Sequence, residues 1–150
     1  ALLLAALGMV HLGDDATATR LIAGAEAIGM VGYGRTHAAK WIRLALARDD
    51  REEIRRMVDT VEPTWLTSDA WELWAALFDA LAVLGERDRI EAHAPEWMRP
   101  DAYVAPFAVR ALGVARNDRG LLTDAVARFE AMGLDWHARE TRLALDRIGA

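Results

Sequence analysis

Apolar residues recur at spacings of three and four along almost the whole chain, and short polar or glycine-containing breaks interrupt them. That period belongs to a helix with one buried stripe, because a half-buried strand alternates every second residue. The pattern predicts nine helices. The first, Leu2 to Leu12, is apolar on nearly every side, and the second carries the stripe Ala18, Leu21, Ile22, Ala25 and Ile28 before the run "GMVGYG" at residues 29–34 ends it. A third runs from about Thr36 to Arg48, with Trp41, Leu44 and Ala45 inward and His37, Lys40 and Arg43 outward. In the fourth, Ile54, Met57, Val58 and Val61 fall at i, i+3, i+4 and i+7, and Pro63 stops it.

Thr67, Ser68 or Asp69 is placed to cap the fifth helix, which continues through "AWELWAALFDALAVL" to Leu84. Arg87 to His93 forms a short sixth, ended by Pro95. Pro106 fits the first turn of a seventh, since an interior proline costs about 3 kcal/mol; that helix carries Phe107, Ala111 and Val114. The eighth, Arg119 to Met132, has Leu122, Ala125, Val126 and Phe129 on its stripe, with Phe129 and Met132 closing it inward. Gly133 then supplies a left-handed turn, Asp135 caps a ninth helix ending at Ile148, Leu134 and Trp136 cover the last core layer, and His137, Arg139 and Glu140 face water.

The breaks repeat. "LGDD" from Leu12, "ARDD" from Ala47, "LGER" from Leu84 and "ARND" from Ala115 each end one helix and start another. A period near 34 residues with two helices per period is the size of a tetratricopeptide unit, in which a helical pair buries its face only by stacking on its neighbours. The units resemble tetratricopeptide repeats, and "LGDDATATRLIAGA" at residues 12–25 resembles that family's turn, with the small residue Ala18 after it. The resemblance implies an all-α fold: a right-handed superhelical stack of about four helical pairs plus a C-terminal capping helix, one repeat domain over residues 1–150. A second stretch, "APFAVRALGVARNDRGLLTDAVARFEAMGLDWHARETRLAL" at residues 105–145, is similar to the C-terminal end of large bacterial regulatory ATPases, where helical repeats follow a nucleotide-binding module and sometimes a nucleotide cyclase or a helix-turn-helix DNA-binding domain. That likeness implies a protein-interaction segment of a signalling or transcriptional regulator. A start in mid-helix without Met agrees with a piece of a longer chain.

Composition points the same way. Thirty Ala and 19 Leu against nine Val and six Ile favour helix, because Ala and Leu lose little freedom there. The net charge of −5 lacks the basic footprint of a nucleic-acid binder, so direct nucleic-acid binding is not expected. Cysteine is absent, which excludes disulfides and thiolate metal sites and fits the cytoplasm. The apolar N-terminal run is too short to span a bilayer, and no membrane association is expected.

Candidate chemistry is sparse. There is no phosphate loop, no HExxH pair, no glycine elbow and no Ser-His-Asp arrangement, and Ser68 is the only serine, so neither catalysis, a cofactor nor a metal is expected. His137 and Glu140, three apart, could give two metal ligands, but the sequence nominates no others. Trp71, Trp74 and Phe78 sit near one another on the fifth helix and read as core or as a groove. The line His37, Lys40, Arg43 and the line Asp69, Glu72, Asp79 read as solvated faces or, if both helices are the first of their pairs, as a polarised surface for a charged peptide or ligand. The expected partner is a protein, a peptide or a neighbouring domain, with homodimerisation through the first helix as a further option. The rival function is small-molecule sensing in a pocket near the tryptophans.

Overall fold

The computed structural model describes residues 1–28 and 34–149, and among these the chain is all-helical with no strand. The helices are α1 (Leu2–His11), α2 (Asp15–Ala27), α3 (Gly34–Ala47), α4 (Arg51–Asp59), α5 (Trp71–Leu84), α6 (Arg87–Trp97), α7 (Ala105–Arg116), α8 (Arg119–Ala131) and α9 (Asp135–Gly149), with one 3-10 turn at Pro63–Trp65. Most of the run predicted to end the second helix, residues 29–33, lies outside the described residues.

One turn recurs between helices. Gly13, Asp49, Gly85, Asn117 and Gly133 all have φ between 52 and 77°. In every case the amide of that residue donates to the carbonyl three before it, and the next amide donates to the carbonyl five before it: Asp14 to Met9, Asp50 to Ala45, Glu86 to Leu81, Asp118 to Gly113 and Leu134 to Phe129. This is the Schellman closure, which satisfies helix-end carbonyls through a left-handed residue. In three of the turns the following residue is an aspartate that also opens the next helix: Asp14 accepts from the Thr17 amide, Asp50 from Glu53 and Asp118 from Leu121, at 3.0–3.1 Å. The four breaks read from sequence are thus a single piece of backbone chemistry.

The chain divides into two compact units, residues 1–80 and 81–150, and the division falls within α5. In the first unit α1 packs on α2 and α3, and α3 on α4. Its core includes Leu3, Ile22, Trp41, Ile42, Ile54, Met57, Trp74 and Phe78. Ile28, expected on the stripe of α2, is instead exposed, because the helix ends at Ala27 and Ile28 belongs to the turn beyond it. Helix α4 also ends earlier than the apolar spacing suggested: Thr60 follows Asp59, its hydroxyl donates to the Met57 carbonyl at 2.7 Å, and Val61 is half-buried outside the helix. Thr67, Ser68 and Asp69 precede α5 in a turn closed by the Ala70 amide on the Thr67 carbonyl, so the helix proper begins at Trp71.

In the second unit α7 packs on α6 and α8, and α8 on α9. Every residue from Ala105 to Gly113 is buried. The stripe Phe107, Ala111 and Val114 therefore understates the burial of this helix, since neighbours cover its other sides as well. Pro106 lies in its first turn, as its missing amide requires. Pro95, by contrast, does not end α6. It stands exposed inside the last turn while Ala94 and Trp97 are buried on either side; one absent amide bond is outweighed by the burial of an indole in that turn.

Candidate functional site

Residues nominated by sequence lie on α3 and around α5, in the first unit. Trp41, Leu44 and Ala45 of α3 are buried as the period predicts, but His37, Lys40 and Arg43 are half-buried rather than solvated. Arg43 makes an ion pair with Asp79 of α5, with 24% and 12% of their side chains exposed. The pair joins one member of the basic line to one member of the acidic line, and it cancels both charges where an open surface would have displayed them. Asp69 and Glu72 are exposed, Asp69 on the turn before α5 and Glu72 in its first helical turn. The Thr67 hydroxyl donates to the Asp69 carboxylate at 2.5 Å.

The aromatic group separates in the same way. Trp74 and Phe78 are 4% and 0% exposed, with ring centroids 5.6 Å apart in a tilted arrangement, and they belong to the core. Trp71 is 47% exposed. The structure therefore brings Trp71 and Glu72 to the surface at the start of α5, next to Asp69, and puts Trp74, Phe78 and the Arg43–Asp79 pair inside or partly inside.

A second cluster, in the other unit, gathers His137, which the sequence offered as a metal ligand, around Arg110, which the sequence reading did not nominate. Arg110 of α7 is buried, and its Nη1 donates to the His137 carbonyl at 3.3 Å and the Thr141 hydroxyl at 3.2 Å, while Nη2 lies 3.3 Å from His137 Nδ1. Its guanidinium carbon sits 4.7 Å from the centre of the Phe129 ring and 5.5 Å from that of Phe107. The Thr141 hydroxyl, fully buried, donates onward to the His137 carbonyl at 2.6 Å. His137 is half-buried, stacked on Phe129 at 5.2 Å and edge-on to Phe107 and Trp136 at 4.8 Å each. Gly133 takes the expected left-handed turn and Arg139 faces water, but two neighbours exchange places: His137 turns inward and Trp136 is 48% exposed. Met132 is likewise exposed, and Asp135 occupies the first residue of α9 instead of its cap. His137 faces Arg110, whose cation meets its carbonyl and imidazole together with the Phe107 and Phe129 ring faces. The signal for it was present in "APFAVRALGV", where a lone Arg interrupts an apolar run.

Surface charges elsewhere form local pairs. Arg116 and Arg87 both hydrogen-bond Glu91 and hold its carboxyl below the usual range, with Arg116 the larger influence. Asp14 is lowered chiefly by the backbone amide of Thr17. Among the described residues no three His, Asp or Glu side chains converge as metal ligands, and no helix is long and apolar enough to cross a membrane. The chain matches no family model, no curated protein and no solved structure.

Proposed function

We propose that this chain is a non-catalytic protein-interaction segment built from tetratricopeptide-like helical hairpins, acting as a scaffold within a bacterial signalling or transcriptional regulator in the cytoplasm. The observation that carries the reading is the recurrence of one turn. The left-handed residues Gly13, Asp49, Gly85 and Asn117 stand 36, 36 and 32 residues apart and close with the same two hydrogen bonds. A hairpin repeated at that interval gains its core by stacking on the next, and a right-handed stack of such pairs presents surface to partners rather than a closed cavity. Burial of Trp74 and Phe78 supports a surface anchored by Trp71 over an effector pocket among the tryptophans.

Two parallel screens of the purified chain test this reading. Peptides of mixed composition are assayed for binding, and a set of common metabolites is assayed for a rise in melting temperature. Peptide binding in the micromolar range without metabolite stabilisation is expected. A metabolite that raises the melting temperature by several degrees, with no peptide bound, would replace the scaffold by an effector-sensing domain.

A further inference from the structure

Helix α9 turns one face inward and the opposite face to solvent. The inner face is already engaged: α9 packs on α8, Ala138 and Thr141 are buried, and His137 meets Arg110. On the outer face stand Trp136 and Leu143, 48% and 45% exposed, and a separation of seven residues keeps them on one line along the helix. Charges flank that line. At about 3.6 residues per turn, Arg139 and Asp146 fall on one side of it and Glu140 and Arg147 on the other. Each side thus carries one charge of each sign, again seven residues apart. We propose that this face is the contact between two copies of the chain, with α9 packed antiparallel on the α9 of the second copy about a two-fold axis at Leu143. The proposal goes beyond the scaffold reading above and does not depend on it.

Charge complementarity selects the occupant. In an antiparallel pair each flank faces the same flank of the other copy, so Arg139 meets the partner's Asp146 and Glu140 meets the partner's Arg147, and the two-fold axis repeats both pairs. A partner segment of one sign would match one charge on each flank and oppose the other. Arg142 is taken by Glu130 and Arg119 by the Leu145 carbonyl, but among the described residues Arg139, Glu140, Asp146 and Arg147 hold no ion pair. Trp136 meets His137 edge-to-face at 4.8 Å and still leaves nearly half its surface open; burial of that remainder with Leu143 supplies the apolar centre, and no free indole face is required. The two helix dipoles also oppose each other in the antiparallel sense, whereas a parallel pair sets like ends side by side. A contact between helices of 15 residues is at the small end of specific interfaces, which makes the dimer weak and reversible.

Sedimentation equilibrium of the whole chain, from about 10 to about 500 μM, tests this. A monomer–dimer equilibrium is expected with a dissociation constant on the order of 100 μM, weakening as NaCl is raised. Leu143→Asp should weaken it by about tenfold or more, and Glu140→Arg or Arg147→Glu alone by about three- to tenfold, because each turns two attractive pairs into repulsive ones. Combining Glu140→Arg with Arg147→Glu should restore the wild-type constant, and an equimolar mixture of the two single variants should form a mixed dimer. Those recoveries are specific to the antiparallel arrangement, since in a parallel pair the double exchange sets like charges against Arg139 and Asp146 and recovers nothing. Circular dichroism checks that each variant keeps its helices; should Leu143→Asp lose them, the charge exchange decides, because it leaves the apolar line intact. A monomer at every concentration overturns the assignment, as does a double exchange that fails to recover the dimer. A dimer indifferent to Leu143→Asp and dissolved by Leu4→Asp, at the exposed Leu4, would belong to α1 and overturn it as well.

Discussion

Gly133 and Asp49 occupy the same left-handed turn position, at φ 69° and 53°, with opposite consequences for substitution. A glycine meets no steric penalty there, whereas an L-residue with a Cβ loses roughly 1–2 kcal/mol and a β-branched one more. Gly133→Val is expected to destabilise the chain by about 2 kcal/mol, and Asp49→Gly to leave stability unchanged or raise it by up to about 1 kcal/mol, less whatever the freer unfolded chain takes back. Urea unfolding of both variants checks the contrast. Equal effects of the two would show that these positions are not the same turn. The sequence disclosed this turn well, since "LGDD", "ARDD", "LGER" and "ARND" all place a left-handed former or a polar residue before the next helix start. It disclosed Arg110 poorly, because a guanidinium is accepted inside only where a carbonyl, a hydroxyl and ring faces from distant residues converge on it.

Between elements, α7 meets α8 tightly at Gly113. A Cβ built there would lie 2.8 Å from Leu122 Cδ2, 2.9 Å from Cγ and 3.1 Å from the Leu122 backbone nitrogen. Leu122 is fully buried, so its side chain has little room to yield, and the backbone atom has less. Alanine would gain up to about 1 kcal/mol of helix propensity over glycine, against an overpacking cost of roughly 1–3 kcal/mol. Gly113→Ala is therefore expected to lose on the order of 1 kcal/mol net, measured as a fall in the urea midpoint with unchanged slope. A more stable variant would mean that α7 and α8 separate easily at this point. Helix α7 also shows why one stripe is a weak guide to burial: Ala and Gly at Ala105, Ala108, Ala111 and Gly113 let other elements come close on faces the apolar period does not mark.

Over the whole molecule the pH response follows from carboxylates that the fold engages. Asp14, held low mainly by the Thr17 amide, and Glu91, held low mainly by Arg116, both release protons more readily folded than unfolded. A carboxylate depressed in the folded state adds stability above its unfolded pKa of about 4, and that contribution disappears as pH falls through the lower folded value. Asp14→Asn and Glu91→Gln should each lower the melting temperature at pH 7 and match wild type near pH 2. A difference that persisted undiminished in acid would assign the effect to packing instead of charge. Asp14 is exposed and Glu91 lies at the surface with a third of its side chain open, so both shifts are expected to be small and reduced by salt.

Helix class, turn positions and most inward stripes were determined by the sequence alone, because they depend on propensity, period and hydrogen bonds that close within five residues. Asp14, Asp50 and Asp118 could be placed at helix starts for the same reason. Tertiary structure alone decided that Arg43 joins Asp79, that His137 turns inward while Trp136 turns out, that Pro95 stays within α6, and that of the three α5 aromatics only Trp71 reaches the surface. Each of those outcomes depends on atoms far along the chain that compete for the same face, and a one-dimensional pattern carries no record of which competitor is near.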